Sequence, residues 1–202
     1  LSDPVSSAPA ERLARLAQAL SSNTPTLAER DEPFKEAAVA LVLRPRGDDD
    51  CELLLIRRAV RAGDPWSGQI GLPGGRFDAS DDSLETTAIR ETMEEVGLDL
   101  RVHGRRLGIL DELRPRTPVL PPIIVRPFVY TVAAELPPLV FSDEVAEARW
   151  VALGALFVPE ARVETSVTVR ELRMRVQAYV HEDFTVWGMT ERILDGLHRL
   201  WR

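Results

Sequence analysis

Leu13, Leu16, Ala17 and Leu20 recur at three- and four-residue intervals within residues 11–20. That is the spacing of one apolar helix face, and it predicts a short amphipathic helix. Residues 21–33 then turn to Ser, Thr and Pro and predict a linker. The first thirty or so residues are therefore expected to form an appendage, 1–33, to a domain over 34–202. Apolar runs of strand length at 37–43 and 52–56 flank a turn-rich stretch containing Asp48, Asp49 and Asp50, and predict paired strands. Residues 61–75 carry Gly63, Gly68, Gly71, Gly74 and Gly75 with Pro65 and Pro73. Such a density predicts a shaped loop with no regular element, and loops of that length in a compact domain are usually functional.

The clearest helix is predicted over residues 82–96, where Leu84, Ala88 and Thr92 share one face with Ile89 and Val96 nearby. Asp82 is expected to cap it, Glu85 to close a capping box and Gly97 to end it. Further strands are predicted at 106–110, 123–132, 148–151 and 172–180. A final helix is predicted at 186–201, with Trp187, Ile193, Leu194, Leu197 and Leu200 as its apolar set. This order predicts an α/β domain with a mixed or antiparallel sheet flanked by helices, not a regular βαβ array.

Composition narrows the function classes. The chain has 202 residues, 45% hydrophobic and 28% charged, as a soluble globular protein does. A net charge of −7 argues against nucleic-acid binding, which needs a basic footprint. It leaves room for a small anionic substrate, because a bound cation reverses the local sign. The single cysteine, Cys51, excludes an internal disulfide and a cysteine-based zinc cluster. Its neighbours Asp48, Asp49 and Asp50 predict a surface turn rather than a catalytic thiol. No apolar run approaches a membrane span, and residues 1–10 lack the features of a signal peptide, so a cytoplasmic address is the default expectation. His103, His181 and His198 show no ligand spacing.

Candidate chemistry lies on the clearest helix. Glu91, Glu94 and Glu95 stand at i, i+3 and i+4, which puts three carboxylates on one face. Like charges so placed repel, and a hard divalent cation among them removes the repulsion. Magnesium prefers a few carboxylates, waters and substrate phosphate oxygens. The glycines just upstream let backbone approach a bulky anion. Three glutamates alone would more often be a solvated acidic face.

The surrounding residues decide between the two. Gly74-Gly75-Arg76, then Arg90-Glu91-Thr92-Met93-Glu94-Glu95-Val96-Gly97-Leu98, resemble the Nudix box, Gx5Ex7REUxEExGU with U aliphatic. Arg90-Glu91, Glu94-Glu95 and Gly97-Leu98 match in place. Thr92 stands where the box prefers an aliphatic residue. Counting back from Arg90 puts Asp82 at the box's first glutamate, and Gly75 then lies one residue too far upstream. The resemblance implies an α/β/α sandwich around a mixed sheet and hydrolysis of a nucleoside diphosphate linked to a group X. It implies magnesium or manganese held by Glu91, Glu94 and Glu95, with Arg90 orienting carboxylates and Gly74 and Gly75 giving close backbone approach. The proton acceptor would be Glu94 or Glu144, the latter in a loop where related enzymes carry a base or an extra ligand. The ordinary alternative for Glu144 is an exposed loop acid.

Three further segments resemble the coenzyme A pyrophosphatase branch. Leu54-Leu55-Ile56-Arg57-Arg58 with Gly68-Gln69-Ile70-Gly71-Leu72-Pro73-Gly74-Gly75 is similar to its LLTxR…GQxxFPGG signature. Leu107-Gly108-Ile109-Leu110-Asp111-Glu112-Leu113 and Val186-Trp187-Gly188-Met189-Thr190-Glu191-Arg192-Ile193-Leu194 are similar to its LGxLDDL and IWGxTxxIL segments. Ile56, Leu72 and the stretch Asp64-Pro65-Trp66-Ser67 depart from the branch. Coenzyme A is thus the first-choice substrate of a close sister group. ADP-ribose, a dinucleoside polyphosphate, a nucleoside diphosphate and a non-catalytic binding module are the alternatives. Arg57, Arg58 and Arg76 flank the loop as expected phosphate ligands, although any one loop arginine is more often solvated. Trp66 is expected to pack its loop down rather than stack on a base. The expected partner is a small nucleotide, with no nucleic acid and no membrane. A homodimer is conceivable through the first helix.

Overall fold

The computed structural model describes residues 8–31, 33–47, 50–62, 66–115, 122–169 and 172–201. Asp48 and Asp49, and the loop positions Gly63, Asp64 and Pro65, lie outside the described residues. The elements in chain order are α1 (Ala8–Ser22), β1 (Lys35–Arg46), β2 (Asp50–Arg58), β3 (Ile70–Gly71) and β4 (Gly74–Arg76). Next come α2 (Leu84–Val96), α3 (Leu100–His103), β5 (Arg105–Ile109), β6 (Ile123–Thr131) and β7 (Val145–Ala152). The chain ends with α4 (Leu153–Leu156), a 3-10 turn (Pro159–Ala161), β8 (Arg162–Val169), β9 (Leu172–His181), β10 (Phe184–Trp187) and α5 (Met189–Leu200).

The central strands are apolar at nearly every position because helices cover both faces of their sheet. Leu41, Leu43, Leu53 and Leu55 face one core with α1 and α5, through Leu13, Leu16, Leu20, Leu194 and Leu197. Ala38, Ala40, Val42, Leu54 and Ile56 face a second core with α2, through Leu84, Ala88 and Val96. This is an α/β/α sandwich. Its sheet is mixed: β1 and β6 are parallel, whereas β2, β4, β5 and β7 pair antiparallel. Among the described residues no helix is long and apolar enough to cross a membrane.

One irregularity of this sheet creates the site. β1 and β2 pair only where they meet, from Leu43↔Leu53 to Arg46↔Asp50, and then separate. The gap is filled by β3 on β2 and β4 on β1, with Leu72 and Pro73 between them. The Ala40 N–H donates to the Pro73 carbonyl at 2.8 Å, which seats that link in the gap. The glycine-rich stretch is therefore not devoid of regular structure, as its composition suggested. Pairings two or three residues long are too short to leave a periodic signal.

Other expectations change for physical reasons. The final helix begins at Met189, because Val186 and Trp187 belong to β10 and Gly188 turns the chain. Ser83, not Asp82, caps α2 by accepting from the Thr86 N–H. Glu85 closes no capping box; it accepts from the Tyr130 hydroxyl at 2.7 Å and pairs with Arg106. Cys51 is fully buried, its thiol pushed up to about 12 by desolvation, so it is no surface residue. The described residues of 21–33 hold no helix or strand beyond the end of α1, yet Thr26 and Ala28 are tied down. The Thr26 and Ala28 N–H groups donate to the Asp111 and Glu112 carboxylates, and the Thr26 carbonyl accepts from the Glu112 N–H. With Leu13, Leu16 and Leu20 in the core, α1 uses its apolar face within its own chain.

β8, β9 and β10 form a separate antiparallel sheet. Ala178, Tyr179, Phe184 and Val186 are buried at its base. Along β8, exposed and half-buried residues alternate, so the β8–β9 ribbon stands away from the core.

Candidate active site

The acidic face of α2 is held against the β4 turn by the two glycines. Gly74 has φ 152, and a Cβ there would lie 2.3 Å from the Ala38 carbonyl oxygen, so only glycine fits. Its N–H donates to Glu95 Oε2 at 2.9 Å. At Gly75 a Cβ would meet the Glu91 carboxyl at 2.3 Å. Gly74 thus lets the turn press on β1 and present its N–H to Glu95, and Gly75 makes room for Glu91.

The three carboxylates differ in environment. Glu95 is 3% exposed, and burial above all lifts its carboxyl to about 8, helped by the charges of Glu91 and Glu144. Arg58 offers it only a distant cation, its Nη1 3.9 Å from Glu95 Oε1. Glu91 is half-buried and also raised, again chiefly by desolvation. Glu94 is the exposed member of the set.

Arg90 arranges this face. Its Nε and Nη2 donate to the two oxygens of Asp81 at 2.9 Å each, and its Nη1 donates to Glu91 and Glu94 at 2.9 and 3.0 Å. Asp81 is buried, accepts also from the Thr87 hydroxyl, and is held far below the usual carboxylate range by Arg90. Asp82 is exposed. The acid that partners the box arginine is therefore Asp81, and the counting that chose Asp82 is corrected. Counted forward, Gly75 and Asp81 have the family's Gx5 spacing, so the extra residue lies between Asp81 and Arg90. Counting from the glycines as well as from Arg90 would have exposed this. Thr92 is buried at its aliphatic-preferring position because its hydroxyl donates to the Ala88 carbonyl at 2.7 Å.

The other predicted residues divide. Glu144 precedes β7, and its charge raises both Glu91 and Glu95. The Ser142 N–H bonds the Glu95 carbonyl, which draws this loop to the end of α2. Arg61, which sequence reasoning passed over, pairs with Glu144 and Asp143 at 2.9 and 2.8 Å. Arg76 is exposed in a groove of about 500 Å³ that it shares with Arg90, Glu91 and Glu94. Arg57 is not brought to this face: it bonds Glu147 and Asp183 and stacks on Phe184 on the opposite side of the sheet. Trp66 is half-buried in its loop.

Among the described residues no three Asp, Glu, His or Cys side chains converge on one point. The reason is visible: Arg90 draws Glu91 and Glu94 to itself. The donor set is nonetheless hard oxygen, with a buried carboxylate destabilised by like charge, and that is the chemistry a small divalent cation satisfies.

The NUDIX domain family model matches residues 33–172. An uncharacterized protein of Schizosaccharomyces pombe is 38% identical over 119 residues, a match covering 57% of this chain and 36% of that protein. The chain thus matches little more than a third of that relative's length. Uncharacterized Nudix hydrolases NudL are 31% identical: over 145 residues and 72% of each chain in Pectobacterium atrosepticum, and over 165 residues and 81% of each in Salmonella paratyphi B. Among solved structures, a MutT/nudix family protein from Enterococcus faecalis matches with a TM-score of 0.55 and 21% identity, covering 95% of this chain and 68% of that one. That likeness bears on the fold alone. The chain belongs to the Nudix hydrolase family.

The Glu95 environment has a measurable consequence. A carboxyl raised from 4.5 to about 8 on folding contributes stability below pH 4.5 that is lost as pH rises through 8. Metal-free protein will therefore melt lower at pH 8 than at pH 5. Glu95→Gln, which cannot ionise, will flatten that slope and melt at least ~3 °C above the parent at pH 8. Thermal melts in EDTA at the two pH values check this. A variant that melts below the parent at pH 8 would make Glu95 a structural partner instead.

Proposed function

We propose that this protein hydrolyses the diphosphate bond of a nucleoside diphosphate derivative using magnesium or manganese held by Glu91, Glu94 and Glu95. The observation that carries this is the buried Glu95 carboxylate, set between a backbone N–H of the glycine turn and the like charges of Glu91 and Glu144. When bound, the cations supply charge neutralisation for the phosphoryl oxygens and a bound water of lowered pKa. Arg90 keeps Glu91 and Glu94 on one face, and Gly74 and Gly75 let the turn close on the helix. Water attacks one phosphorus, the bridging P–O bond breaks, and the water's proton passes to a carboxylate. Glu94 and Glu144 are the candidates for that acceptor, both exposed to solvent and both tethered by an arginine. Glu94→Gln will lower kcat by at least ~10² with the melting temperature unchanged. Near-normal turnover by this variant would remove Glu94 from the site.

Coenzyme A is the first-choice substrate, cut to 4′-phosphopantetheine and 3′,5′-ADP. The support is the run from Gly68 to Gly75 and the run from Val186 to Leu194. Among the three arginines named for phosphate, Arg58 and Arg76 lie on the acidic side of the sheet, and Arg76 is the exposed one. Arg suits bidentate phosphate contact. With coenzyme A as substrate, dephospho-coenzyme A will show a kcat/KM lower by ~10-fold or more, and Arg76→Ala will erase that preference. Equal values for the two would remove the 3′-phosphate contact. Turnover of ADP-ribose or a dinucleoside polyphosphate alone would move the enzyme to another branch.

A further inference from the structure

A second cavity, of about 350 Å³, lies where the β8–β9 ribbon approaches β3 and the residues before it. β10 forms its third side. The hydrolytic chemistry above makes no use of it, and Arg57 lines it rather than the acidic face.

The lining is charge-balanced. Arg57 and Asp183 contribute one charge of each sign and bond each other at 2.5 Å. A phosphate entering here would have to displace Asp183 from Arg57. Around that pair the walls mix small apolar side chains, Val167 and Val169, with hydrogen-bonding ones, Gln69, Thr168 and Thr185. A pocket of this size and mixture suits an uncharged ligand bearing amides or hydroxyls along an aliphatic frame.

Its position ties it to the acidic face. The last two residues of β2 serve the two sites separately: Arg57 turns to the cavity and Arg58 toward Glu95. The Arg58 N–H also donates to the Gln69 carbonyl at 3.0 Å, so the cavity floor and the acidic face hang on one strand end. The cavity and the carboxylates are thus joined through adjacent residues of one strand, Arg57 lining the first and Arg58 facing the second.

We infer that the cavity binds the uncharged, amide- or hydroxyl-bearing group carried on the diphosphate, and that the β8–β9 ribbon selects it. The inference rests on the hydrolase activity proposed above. Val167 is half-buried on the ribbon, and Val167→Phe fills the cavity without entering either core. Turnover of dephospho-coenzyme A, which carries a pantetheine arm, is compared with that of ADP, which carries none. In the variant the ratio of their kcat/KM values will fall at least ~10-fold, through KM rather than kcat. A ratio within ~2-fold of the parent's overturns the inference. A second readout is independent of catalysis. Trp187 lines the cavity, and free pantetheine will quench its fluorescence saturably in metal-free parent protein but not in Val167→Phe. Trp187→Phe identifies the signal among the four tryptophans. If the parent hydrolyses neither nucleotide, the proposed activity fails and this titration alone decides: parent-only quenching keeps the cavity site, and no quenching in the parent overturns it.

Discussion

The Asp81–Arg90 pair is the contact on which the rest of the site depends. One guanidinium satisfies a buried carboxylate with two hydrogen bonds, reaches two glutamates of α2, and donates to the Arg76 carbonyl at 3.2 Å. It thereby joins the β4 turn, the descending loop and the helix. Burying an ion pair costs desolvation, and only full hydrogen bonding offsets it. Asp81 meets that condition, with the Thr87 hydroxyl and the Asp78 N–H as further donors. The helix is thus fixed in azimuth by polar contacts on one side and by Leu84, Ala88 and Val96 on the other.

What this framework holds in place is electrostatically unfavourable. Glu95 is driven into the protein beside Glu91, within reach of Glu144, with one N–H in direct contact and Arg58 at the edge of ion-pair range. A structural role would have called for an apolar residue at a position so buried. The strain makes sense as a site built to bind positive charge, where stability is given up for function. Around it the chain is conventional: two cores, a mixed sheet, and a terminal segment fastened by Glu112, which takes hydrogen bonds from the Ala28 N–H, Arg30 and Arg126.

Much of this was legible in the sequence, and the failures have physical causes. The runs at 37–43 and 52–56 are strands because burial on both faces removes the need for alternation. The helix over 84–96 has both period and cap signals, but its cap is Ser83, one residue past the expected Asp82, because Ser83 has the extended backbone from which its hydroxyl accepts from the Thr86 N–H. The acid partner was misplaced by one residue because a single insertion shifts any count made from one side only. β3 and β4 are too short for periodicity, and their strandedness comes from the divergence of β1 and β2, a tertiary event. Arg57 and Arg58 are neighbours in sequence yet serve opposite faces, which no composition reveals. The ribbon's second sheet was seen only as one strand, because β8 is polar on one side and β10 is four residues long.

The aspartate that anchors Arg90 sets the acidic face. Chemical denaturation of Asp81→Asn beside Asp82→Asn tests it most directly. Asp81→Asn will lose ~2–4 kcal/mol of stability, because it removes the buried charge that accepts from Arg90 Nε and Nη2 and from the Thr87 hydroxyl. Asp82→Asn, exposed and outside the network, will stay within ~0.5 kcal/mol of the parent. Equal losses, or a larger loss at Asp82, would contradict the anchoring role given to Asp81.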